Sequence, residues 1–212
     1  TLRRALQQIP ADQDLAGLFL FCVVDNQEPY FLLQEAKAIA EICYDKQHSS
    51  KIYETAVALY KYYFEDEHAG YLELEKIITA KQVPLDAIIA FAEILLSLEK
   101  TAEANAVLHK GLKSEPNSPR ILTLLAQTYL QDDSLKNPDY AVQLALSACQ
   151  NSNWLSPREL HVLAEAYAEK GDIMSALIAA NKAKQEGERL LGNYRHSQSL
   201  SKLISYLSHT SR

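Results

Sequence analysis

Two groups of side chains in this chain carry residue types suited to acid–base or metal chemistry. Glu65–Asp66–Glu67–His68 sets three carboxylates beside an imidazole, and His161 stands four residues before Glu165. Ligands must converge on a metal, whereas neighbours along a helix or turn point in different directions. The first run therefore reads as a solvated turn. His161 and Glu165 share a helical face, one turn apart, but no HExxH motif surrounds them and no third ligand stands near. They read as a pair lining a surface. No glycine-rich phosphate loop, serine-centred elbow or cysteine–histidine signature occurs. The expectation is a protein without catalysis, bound metal or cofactor.

Charge and cysteine usage narrow the classes further. The formal net charge is -6, whereas nucleic-acid binders usually carry a basic face that displaces counterions. Lys110, Lys113 and Arg120 approach such a cluster, but Glu115 interrupts it and a solvated face fits better. No nucleic-acid partner is expected. Cys22, Cys43 and Cys149 are odd in number and lack the spacing of a disulfide framework or a zinc site. They fall within apolar patterns, where free cysteine acts as a small hydrophobe.

A membrane span needs about 20 apolar residues, and no run approaches that. The longest, Leu15 to Val24, is preceded by Asp12 and Asp14 and followed by Asp25 and Asn26. Those flanks do not suit a signal peptide. The expected location is cytoplasmic, becoming periplasmic or membrane-tethered if residues before Thr1 carry a signal or anchor.

The elements that must position these side chains are helices. Alanine, leucine, glutamate, lysine and glutamine recur, and they lose little freedom in a helix. Six glycines and seven prolines are too few for the turns of an all-β chain of 212 residues. Hydrophobic residues make up 48% of the chain, enough for a core.

Self-similarity organises the helices. Ile88, Phe91, Ala92 and Leu95 form an apolar face at i, i+3, i+4 and i+7. A break at Glu99–Lys100–Thr101 precedes a second face of Ala104, Leu108 and Gly111, which Pro116 closes. Ala126 lies 34 residues after Ala92, and Ala164 lies 38 after Ala126. Second faces follow at Ala141, Ala145 and Ala148, then at Ala176, Ala180 and Ala183. Ala92 to Ala104 and Ala164 to Ala176 each span 12 residues, but Ala126 to Ala141 spans 15. Three of the four extra residues therefore lie between Asp132 and Pro138. The fourth lies near Asn151–Ser152–Asn153–Trp154. Loops absorb such insertions cheaply; packed helices do not.

This pattern resembles the tetratricopeptide repeat, a 34-residue helix–turn–helix with small residues at its eighth, twentieth and twenty-seventh positions. Those positions hold Ala92, Ala104 and Gly111; Ala126, Ala141 and Ala148; and Ala164, Ala176 and Ala183. The family's aromatic eleventh position is Tyr129 and Tyr167, and its closing proline is Pro116. Its tryptophan and phenylalanine are replaced by Ile88, Leu122 and Leu160 and by Leu108, Ala145 and Ala180. The resemblance implies an all-α, right-handed αα-superhelix of TPR-like hairpins with a C-terminal capping helix.

The expected organisation is the end of a truncated repeat at 1–12, two degenerate repeats at 13–84 and three repeats at 85–118, 119–156 and 157–190. A capping helix and tail at 191–212 follow, with Leu200, Leu203, Ile204 and Leu207 at helical spacing. Upstream, Phe19, Leu20 and Val23 fit a first helix and Ala36, Ala40 and Cys43 a second. Ala58 and Gly70 keep the phase of the small positions, and Leu2, Ala5 and Pro10 match the end of the truncated unit.

In this family the first helices line a concave groove that binds peptides or helices. The resemblance assigns Tyr62, Tyr63, Glu93, Arg120, Thr123, Gln127, Arg158, His161 and Glu165 to that groove. Chaperone-binding members grip a terminal carboxylate there, yet only Arg158 matches their basic set, and Glu93 opposes a carboxylate. The expected function is a non-catalytic protein–protein interaction scaffold. The alternative is a recruitment or assembly segment of a larger multidomain enzyme or secretion machine. Self-association through an exposed terminal hairpin is a further expected mode.

Overall fold

The computed structural model describes residues 12–25, 30–43, 50–191, 194 and 196–210, and among them regular structure is helical throughout. Residues 1–11, where the truncated unit is expected, and the turn at 26–29 lie outside the described residues. The chain forms two compact units, Thr1–Phe91 and Ala92–Arg212.

The first unit contains α1 (Gln13–Asp25), α2 (Tyr30–Ile42), α3 (Lys51–Phe64) and α4 (Glu67–Ile78). Side-chain oxygens start three of them by accepting backbone N–H groups that the first turn leaves unpaired. Asp12 takes the N–H of Leu15, Ser50 that of Tyr53 and Asp66 that of Ala69. Helix α1 packs on α2 and α3, and α3 packs on α4. Phe19, Leu20, Val23, Ala36, Ala40 and Cys43 are all buried in this core. The closest approach is at Gly70. A Cβ there would sit 2.3 Å from the Tyr62 amide nitrogen, so only glycine lets α4 lie against α3.

Helix α5 (Leu85–Ser97) carries the division between the units. The second unit continues with α6 (Thr101–Ser114), α7 (Pro119–Gln131), α8 (Pro138–Asn151), α9 (Pro157–Lys170), α10 (Ile173–Leu191) and α11 (Ser197–Thr210). Proline opens α7, α8 and α9, where its missing N–H leaves no bond unmade. Gly171 closes α9 at φ 85°, and Asp172 at once caps α10 by accepting from Ser175 N–H. Helix α7 packs on α6 and α8, and α9 on α8 and α10. Helix α9 also reaches α7, two elements back. Such contacts define hairpins stacked in chain order.

The small residues sit where these helices cross. Ala104, Ala126, Ala141, Ala148, Ala164, Ala176 and Ala183 are all 0% exposed. Without long side chains at these points the backbones approach closely, and leucines fill the grooves beside them. Helix α11 lies on α10 and α9, burying Leu200 and Leu207 while its serine-rich face meets water. It caps the stack.

Candidate protein-binding site

Three successive first helices contribute one charged residue each to a common cluster. Glu93 projects from α5, Arg120 from α7 and Arg158 from α9. One Arg120 amino nitrogen lies 3.2 Å from both Glu93 carboxylate oxygens, and Arg158 donates to Oε1. Side-chain exposures of 22% for Glu93, 28% for Arg120 and 31% for Arg158 leave the cluster half-open to solvent.

The arginines occupy an unfavourable place for helix stability. Each is the residue after an initial proline, at the positive end of its helix dipole, where an acidic residue would be stabilising. Glu93 offsets that cost. The planar fork of a guanidinium matches a carboxylate, which is how Glu93 holds two of them at once. A repeated tripeptide marks both arginines in the sequence: Ser-Pro-Arg recurs at Ser118–Pro119–Arg120 and Ser156–Pro157–Arg158.

Buried titratable groups adjoin the cluster. Glu159 is 7% exposed; burial pushes its carboxyl up, and Arg158 and Arg120 pull it partly back. His161 is 6% exposed and held down to about 4 by burial, with His196 adding repulsion. Its Nδ1 lies 3.4 Å from the Tyr194 hydroxyl. Its Nε2 lies 3.5 Å from Glu165, within ion-pair reach but without hydrogen-bond geometry. Burial lifts Glu165 to about 7, although 41% of the side chain still meets water and limits the effect.

The candidate residues divide by position. Glu93, Arg120 and Arg158 come together, Gln127 is half-buried, and Glu165 stands partly exposed beside His161. Thr123 is wholly buried and spends its hydroxyl on the Pro119 carbonyl at 2.8 Å. His161 is likewise inside. Both occupy the fifth position of a first helix, and Leu124 and Val162 beside them are buried too. That face is closed to solvent, at His161 by the ring of Tyr194. Tyr62 and Tyr63 belong to the first unit, where their rings meet edge-on at 5.0 Å and Tyr63 is 47% exposed.

The acidic run has no convergent geometry. Asp66 is the cap of α4 and Glu65 pairs with Lys37. Among the described residues no three His, Cys, Asp or Glu side chains gather into a metal-holding group. No described helix is long and apolar enough to cross a membrane.

An all-helical stack of hairpins bearing a shared charge cluster is the class that this geometry defines. The chain matches the ChAPs family (Chs5p-Arf1p-binding proteins) over residues 35–187 and belongs to it. Among solved structures it is similar to MamA (MSR-1, C2 form) at 14% identity and a TM-score of 0.50. That likeness covers 76% of this chain and 98% of the other. A second MamA structure (AMB-1) is 15% identical with a TM-score of 0.49, over 75% of this chain and 92% of its own. The first likeness is one of fold. No curated protein matches the chain.

Proposed function

We propose that the chain is a non-catalytic interaction module whose second unit docks an acidic segment of a partner protein on the Arg120–Glu93–Arg158 cluster. Its hairpins are read as tetratricopeptide-type units, two degenerate ones over 13–84 followed by 85–118, 119–156 and 157–190. The observation that carries the reading is that α5, α7 and α9 each bring a charged side chain to one half-open place. Charge at the positive end of two helices is poor for folding and suited to recognition. The family's name supplies the partner class: proteins of the Chs5p and Arf1p kinds.

Purified Chs5p-type and Arf1p-type proteins, titrated against the immobilised chain, test this. The variant carrying Arg120→Glu and Arg158→Glu is expected to lose about tenfold or more in affinity, as desolvated charge pairs do. Unchanged binding of both partners by a folded double variant would move the site elsewhere.

A further inference from the structure

The turn between α8 and α9 holds the one inserted residue that periodicity leaves without a purpose. Asn153 at φ 54° and Trp154 at φ 60° both stand in the left-handed region, which a bulky side chain rarely adopts. Trp154 N–H donates to the Cys149 carbonyl at 2.7 Å, and Leu155 N–H to Ser152 at 3.2 Å, locking the turn. Strain of this kind persists where surrounding structure enforces it, often at binding positions.

The strained turn sets the indole on a cleft of about 410 Å³. Leu146 of α8, Leu160, Leu163 and Tyr167 of α9, and Ile178 of α10 form its walls. That is a volume typical of binding pockets. Lys182 reaches over the indole, 5.1 Å from the ring centre. Among the described residues no carboxylate pairs with it. The apolar surface continues past the cleft along α10, where Ile178 is 68% and Met174 64% exposed, one helical turn apart. A stripe of that spacing outruns a small molecule and matches a helix laid alongside.

We propose that this cleft is a second docking site, which takes a bulky apolar side chain flanked by a carboxylate, presented by an amphipathic helix of a partner protein. The apolar residue fills the space beneath Trp154, its neighbours lie on Met174 and Ile178, and the carboxylate meets Lys182. The indole and ammonium together choose an acidic amphipathic helix over a neutral one. This site is separate from the Arg120–Glu93–Arg158 cluster.

Trp154 is the single tryptophan of the chain, so its emission reports on this cleft alone. The full chain is titrated with a tryptophan-free helical peptide bearing leucines at i, i+3 and i+4 with flanking aspartates, then with its asparagine counterpart. A saturable blue shift is expected, with affinity for the aspartate peptide higher by about threefold, as an exposed ion pair gives. Lys182→Gln should equalise the two peptides. Ile178→Asp, at an exposed position that folding does not need, should weaken both. Arg120→Glu with Arg158→Glu should leave the titration unaltered. A silent emission, equal affinities for the unmodified chain, or loss of binding in the arginine variant each overturns the proposal.

Discussion

Arg158 donates to the carboxylate of Glu93, 65 residues earlier in the chain, across the helix that carries Arg120. Glu93 is the residue that lets two guanidinium groups face one another. Glu93→Gln removes the carboxylate that both share and should destabilise the fold by about 1–2 kcal/mol, near the upper end for a partly exposed pair. Added salt screens the repulsion, so the loss should shrink between low and high ionic strength. Urea melts at two salt concentrations check this, and a salt-independent loss would mean that packing, not charge, is at stake.

Gly70 and Gly171 should respond differently to alanine. At Gly70 the new Cβ meets the α3 backbone, and two helices must part; a loss of about 3 kcal/mol is expected. At Gly171 there is open space, and only the φ of 85° is strained, for about 1 kcal/mol. Thermal melts of the two variants should rank in that order.

Ala126→Leu and Ala164→Leu each place a branched side chain at a 0% exposed helix crossing. Each should lower stability by about 1–3 kcal/mol through overpacking. Equal melting temperatures for both variants and the unmodified chain would mean that these crossings have room to spare.

His161 and Glu165 should pull stability in opposite directions as pH changes. His161 is held down to about 4, so its contribution is present above about pH 6.5 and is lost as pH falls toward 4. Glu165 is raised to about 7, so its contribution is full below about pH 4.5 and is lost as pH rises through 7. Between those limits the slopes oppose one another. Glu165→Gln should leave a chain whose melting temperature falls on acidification from pH 6.5, and His161→Gln one whose melting temperature rises. Melts across pH 4–7.5 read the slopes; parallel curves for both variants would contradict this pairing.

Thr123→Val removes a hydroxyl that bonds inside its own helix and meets no solvent. Partner affinity should stay within about twofold of the unmodified chain, as for any residue outside the contact surface. A binding titration beside Arg158→Glu makes the comparison direct.

Helix formation and the small residues at helix crossings were legible in the sequence because both follow from a local period. Residues 3.6 apart share a face, and Ala92, Ala104, Ala126 and their successors announce by size alone where backbones come close. The same arithmetic located the inserted residue near Trp154 but not the left-handed turn it builds. Which first-helix position stays open was decided only by the tertiary structure, because exposure on one helix depends on what packs against it from elsewhere in the chain. Thr123 and His161, the latter against Tyr194 from beyond α10, are buried at positions that helical spacing alone cannot tell from an open face. The joining of Glu93 to Arg120 and Arg158 is tertiary for the same reason. Sequence places each charge on a helix, but only the stacking of the hairpins brings opposite charges from distant turns within reach.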